Sequence, residues 1–160
     1  MPHLSSAPFH MSDRVKATCL AGREARLVVS FTGIGKPDAV GQDEEFVKFA
    51  GQQGRNHVLF VADTLRSWYN DPGIFEEIVD LVARYSAKHA IAETVCFGNS
   101  MGGHGAAVFA GALGASQCFS LSAQYSANPE VVPEETRWLE YREKIQSFTV
   151  PPLETLIVPE

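Results

Sequence analysis

The chain is predicted to fold as an α/β protein, a three-layer sandwich with a mostly parallel sheet between helices. Two observations carry most of that expectation. Leu27-Val28-Val29-Ser30-Phe31 and His57-Val58-Leu59-Phe60-Val61-Ala62 are compact, β-rich apolar runs without polar alternation, as strands buried on both faces require. From residue 27 onward such runs alternate with helix-like stretches, which calls for parallel strands joined by right-handed crossovers.

In chain order, residues 1–12 carry prolines and serines without periodicity and read as a loose terminus. Arg14 to Leu20 alternates charged and apolar residues and suggests an edge strand. Leu27 to Phe31 is the buried strand described above, followed by Thr32-Gly33-Ile34-Gly35-Lys36-Pro37. Asp43 to Ala50 reads as a short helix with acids at its start, where the helix dipole favours them. His57 to Ala62 is the next buried strand and ends at Asp63, before an aromatic loop, Thr64 to Gly73. Ile74 to Lys88 places Ile74, Ile78, Leu81, Val82 and Tyr85 at helical spacing. Thr94 to Phe97 is a strand, Gly102 to Leu113 a helix, and Gln117 to Ser122 another strand. Glu134 to Phe148 reads as a helix with Pro133 suited to its start. Leu156-Ile157-Val158 is a candidate last strand.

With 160 residues the chain has the length of one domain, taken here as 1–160. A net charge of −6 and the lack of a basic run argue against nucleic acid or an anionic membrane as partner. No apolar stretch reaches the roughly 18 residues of a membrane helix, and Met1 to Ser6 has no signal-peptide pattern. Cys19, Cys96 and Cys118 show no CxxC spacing. Cys96 and Cys118 lie in apolar runs, so both read as buried free thiols in a cytoplasmic protein. No His/Cys/Asp cluster has metal-ligand spacing, and Gly33-Ile34-Gly35-Lys36 lacks the full phosphate-loop pattern. Neither a metal nor another cofactor is expected.

The chemistry concentrates at Gly98-Asn99-Ser100-Met101-Gly102-Gly103. A strand enters this stretch and an Ala/Gly-rich helix leaves it, as a nucleophile elbow requires. Glycines flank the serine where a Cβ would clash, and the helix N-terminus behind it offers N–H groups to a developing oxyanion. The bland alternative is a small residue in a tight turn.

With its strand before and helix after, this stretch resembles the elbow of the α/β-hydrolase superfamily. Ser100-Met101-Gly102-Gly103-His104-Gly105-Ala106 is similar to that of esterase D-type enzymes and S-formylglutathione hydrolases. The resemblance covers about residues 27–122. It implies a serine hydrolase acting on a small-molecule carboxylic ester or related acyl bond. Ser100 would be the nucleophile and the backbone N–H groups of Met101 and Ile34 the oxyanion hole. The family places its triad histidine well after the elbow, whereas this chain has no histidine beyond His104. The resemblance therefore implies an N-terminal part of a longer hydrolase, with C-terminal strands missing, an incomplete triad and Glu160 as the candidate acid. The competing class is a non-catalytic domain used for binding or assembly.

His104, four residues beyond the nucleophile on a helix, reads as packing beneath the elbow rather than as its base. Asp63 either lines the pocket or bonds its own turn. Trp68 and Tyr69, like Gln124 and Tyr125, either form the pocket or cover the end of the sheet. A missing strand would leave an edge open near residues 117–122 or 154–158, inviting a homodimer.

Overall fold

The computed structural model describes residues 6–36 and 41–156. Among these residues six strands form one sheet: β1 (Ala7–Met11), β2 (Val15–Leu20), β3 (Arg26–Phe31), β4 (His57–Asp63), β5 (Glu93–Asn99) and β6 (Gln117–Leu121). Their order is β1-β2-β4-β3-β5-β6. β1 and β2 run antiparallel, and β2 antiparallel to β4, whereas β4, β3, β5 and β6 run parallel. The mostly parallel α/β architecture predicted from the apolar runs is present. β3 lies at its centre between two parallel neighbours, as its unbroken apolar composition requires.

Strand alternation divides the core into two layers. Leu27, Val29, Phe31, Leu59, Val61 and Cys96 face the longer helices, α2 (Ile74–His89) and α3 (Met101–Ala110). Val28, Val58, Phe60, Val95 and Phe97 face the other way, toward the short helix α1 (Val47–Gly51). The sandwich is therefore lopsided, thick on one side and thin on the other. α2 buries the five residues that marked it as a helix. Phe31 stacks on Phe109 of α3 with ring centroids 5.2 Å apart and meets Tyr69 edge-on at 5.8 Å.

Several expectations are corrected. Residues 7–11 are not loose: they form β1 against β2, so β2 is interior and β1 is the edge. The anticipated helix from Asp43 begins only at Val47, because Phe46 takes a left-handed φ of 56°. The acids before it are engaged elsewhere: the Glu44 carboxylate accepts from the Ser6 and Thr18 hydroxyls. Of the helix expected over residues 134–148 only α4 (Leu139–Arg142) is helical. Its 3-4-3 apolar spacing at Trp138, Tyr141, Ile145 and Phe148 is real. Those residues, however, spread over the cluster of Ile34, Trp68, Met101 and Ala127 rather than forming one stripe. Cys118 is exposed, not buried, because β6 is the uncovered sheet edge, with Phe119 44% and Leu121 42% exposed. Leu153–Thr155 is a single 3₁₀ turn. Ile157 to Glu160, with most of the candidate last strand and the candidate acid, lie outside the described residues.

Phe31 is wholly buried at the point where β3, α3 and the aromatic loop meet. Phe31→Ala is expected to cost about 3–5 kcal/mol of stability by urea denaturation. A loss below about 1 kcal/mol would mean that the stack is not a core element.

Candidate active site

β5 ends at Asn99 and α3 begins at Met101, so one residue makes the whole turn. That residue, Ser100, has φ 56° and ψ −122°. A non-glycine residue held there costs on the order of 1–3 kcal/mol and persists only when its surroundings leave no alternative. The surroundings are the neighbouring backbones. A Cβ on Gly98 would lie 2.1 Å from the Gly102 carbonyl oxygen, and one on Gly102 would lie 2.1 Å from that of Phe31. One on Gly103 would lie 2.5 Å from the Leu121 carbonyl oxygen. The first turn of α3 is thus pressed against the ends of β3 and β6. The Ser100 N–H donates to the Leu121 carbonyl at 2.8 Å, tying the elbow to β6. Ser100 itself is half-buried.

Ile34 and Met101 share the buried cluster that includes Trp68 and Ala127, which brings both backbones to the serine end of the sheet. Among the described residues neither N–H is engaged by another backbone group. The Ile34 carbonyl accepts from Arg66 Nε at 2.9 Å, and the Gly33 N–H donates to Glu45 Oε2 at 3.1 Å, so this segment is held from both sides. By its position Glu45 reads as a helix-start acid. Its contact with Gly33 arises only because β3 and α1 converge, which no local pattern announces.

Asp63 has no exposed surface. Its carboxylate accepts from the N–H groups of Leu65, Ser67 and Tyr69 and from the Ser67 hydroxyl, at 2.8–3.1 Å. Burial pushes its pKa up, and those donors pull it back. Asp63 therefore organises its loop and does not line a pocket. The loop needs that anchor, because Arg66, Trp68 and Tyr69 all have left-handed φ values of 50–62°. Trp68 and Tyr69 turn inward, 0% and 1% exposed. Tyr69 fills the space that a Cβ on Gly105 would need, 2.5 Å from its ring.

Gln124, just after β6, donates from Nε2 to Ser100 Oγ at 3.3 Å and accepts from Trp68 Nε1 at 3.2 Å. Of the sequence candidates, Ser100, Trp68 and Gln124 are joined in one hydrogen-bonded chain. Tyr125 stands apart from them, 40% exposed. Arg142, missed in the sequence, is buried and donates from Nε to the Ala127 carbonyl at 2.9 Å, pinning the segment after β6. An arginine in a polar stretch carries no sign of that role.

Among the described residues no imidazole bonds Ser100. His10 pairs with Glu77, and His57 and His89 lie beside Tyr85 at the other end of the sheet. His104 is buried beneath the elbow and donates from Nδ1 to the Gln124 carbonyl at 3.0 Å. Also among the described residues, no group of three His, Cys, Asp or Glu side chains is placed to hold a metal ion. No helix there is long and apolar enough to cross a membrane.

Burial holds the His104 pKa below its ordinary 6.5, against the upward pull of its bond to Gln124. As pH falls through that value the unfolded chain takes up the proton first, so folding stability is lost below it. The unfolding midpoint is therefore expected to drop on acidification below about pH 6.5, and to drop less in His104→Asn. An unchanged slope in that variant would remove His104 from the cause.

No protein-family model matches the chain, and no curated protein matches it in sequence. Solved structures do. The capsule O-acetyltransferase of Neisseria meningitidis serogroup A superposes with a TM-score of 0.63 at 18% identity, over 84% of this chain and 57% of the transferase. A fluorophosphonate-binding serine hydrolase of Staphylococcus aureus, with substrate bound, gives 0.58 at 15% identity, over 95% of this chain and 71% of the hydrolase. The chain thus spans less than three-fifths of the transferase's length. With this strand order and these neighbours, the chain has the α/β-hydrolase fold.

Proposed function

We propose that this chain carries the nucleophile of a serine hydrolase that cleaves a small-molecule carboxylic ester or related acyl bond. The observation behind the reading is the backbone of Ser100, strained at φ 56° at the head of α3 in a turn with no room for a Cβ on either side. Structural strain of this kind concentrates at functional sites.

In this reading Ser100 Oγ attacks the acyl carbon. The Oγ–C bond forms, and the carbonyl electron pair moves onto oxygen, where the N–H groups of Met101 and Ile34 receive it. Collapse expels the alcohol, and water then releases the acid from the acyl-enzyme. A serine hydroxyl needs a base to lose its proton. Since no described imidazole touches Ser100, the base comes from outside the described residues or from a second chain. Glu160 remains the candidate acid, and a cytoplasmic setting the expected one.

One observation favours the non-catalytic alternative. The side chain bonded to Ser100 Oγ is a carboxamide, which does not act as a base.

A fluorophosphonate probe separates the two. Attack forms an Oγ–P bond and expels fluoride, the hydroxyl proton passing to the base or to water. Labelling is expected at Ser100 and is expected to vanish in Ser100→Ala. Labelling absent both from this chain and from one extended at its C-terminus would leave a binding or assembly domain.

The open β6 edge, free of charge and proline from Gln117 to Ser122, is expected to pair with a second copy. Sedimentation showing a monomer at high concentration would count against that dimer.

A further inference from the structure

Gln124 makes three contacts where the chain leaves β6. Its backbone carbonyl accepts His104 Nδ1–H at 3.0 Å, its Oε1 accepts Trp68 Nε1–H at 3.2 Å, and its Nε2 donates to Ser100 Oγ at 3.3 Å. The first two determine the third. A carboxamide has two ends of opposite hydrogen-bonding character and could present either to the serine. An indole nitrogen only donates, so Oε1 must face Trp68, and the NH₂ end is left on the serine side. Trp68 is not free to release it: the ring is wholly buried, and its loop is held by the Asp63 carboxylate. The His104 bond fixes the backbone from which the amide reaches.

We propose that Gln124 is a positioning residue for Ser100, with its polarity set by the Trp68 indole; the proposal rests on reading Ser100 as the nucleophile. An unheld serine side chain samples three staggered rotamers. The Nε2–H occupies one lone pair of Oγ, selects a rotamer and leaves the hydroxyl proton directed away from the segment after β6. The base must therefore approach from elsewhere. As the proton departs, the same N–H faces the growing negative charge on Oγ and stabilises it. Gln124 does not take the proton itself, because the amide nitrogen it presents has no available lone pair. Trp68 acts one step further away, by denying the amide its flipped orientation.

Gln124→Met retains length and shape but removes the donor. The maximal rate of fluorophosphonate labelling at saturating probe is expected to fall about 3- to 10-fold, the worth of one neutral hydrogen bond. The probe concentration for half-maximal rate should not change. A merely structural role would instead raise the probe concentration for half-maximal rate and leave the maximal rate unchanged; a lower unfolding midpoint accompanies either role, because Met also leaves the buried Trp68 N–H without its acceptor. A Gln124→Met rate equal to or above that of the parent protein overturns the proposal.

The Trp68 indole N–H resonance reads the clamp without any chemistry at Ser100. It can be assigned by its persistence in Trp138→Phe, since the chain has 2 tryptophans. It is expected to move upfield in Gln124→Met as its acceptor is lost, and an unmoved resonance overturns the clamp. If the resonance moves but the parent protein is never labelled, the nucleophile reading fails, and the positioning role fails with it. The Trp68–Gln124 bond then serves packing alone.

Discussion

The close approach of the strand ends and the head of α3 at the elbow is the constraint on which the rest of this structure depends. The first turn of α3 lies so near the ends of β3, β5 and β6 that Gly98, Gly102 and Gly103 leave no space for a Cβ. Helix α3 can then start only if one residue turns the chain through a strained positive-φ conformation, and Ser100 is that residue. The strain it stores is small beside the core that enforces it. Phe31, at the end of β3, stacks on Phe109 of the same helix, so the contact that crowds Gly102 is locked by an aromatic pair one layer below.

A second constraint operates next to it. Asp63 is a buried carboxylate whose ionised form is disfavoured by desolvation, and three backbone N–H groups and a hydroxyl offset only part of that. Those donors hold a loop in which three non-glycine residues are left-handed. The loop in turn delivers Trp68 to Gln124 and Tyr69 to Phe31. The hydrogen bonds of one buried carboxylate thus govern, two contacts away, the orientation of the amide at the serine hydroxyl.

The uneven sandwich accounts for much of what local pattern misjudged. Both long helices pack on one face, and among the described residues the α-helix on the other face is the five-residue α1. The acids that look like a helix start are drawn instead to Thr18 and Gly33. The apolar periodicity of residues 138–148 imitates a helix. Its side chains lie over the buried cluster at the serine end, and Arg142 threads its guanidinium to the backbone carbonyls of Ala127 and Glu135. Residues 7–11 show no periodicity at all, yet β2 offers them a free edge and they pair with it.

Short-range physics was enough for the sequence alone to determine the parallel apolar strands, the long amphipathic helix and the strand–serine–helix turn. Each is set by side-chain periodicity or by steric demands within a few residues. Tertiary structure alone decided which flanking aromatics turn inward and that Gln124 meets Ser100. Those outcomes depend on contacts across 24 to 56 residues, such as Ser100–Gln124 and Trp68–Gln124. The residues that make them carry no local mark of the partner they will find, because hydrogen-bond polarity at a buried site is settled by whichever donor or acceptor the fold brings alongside.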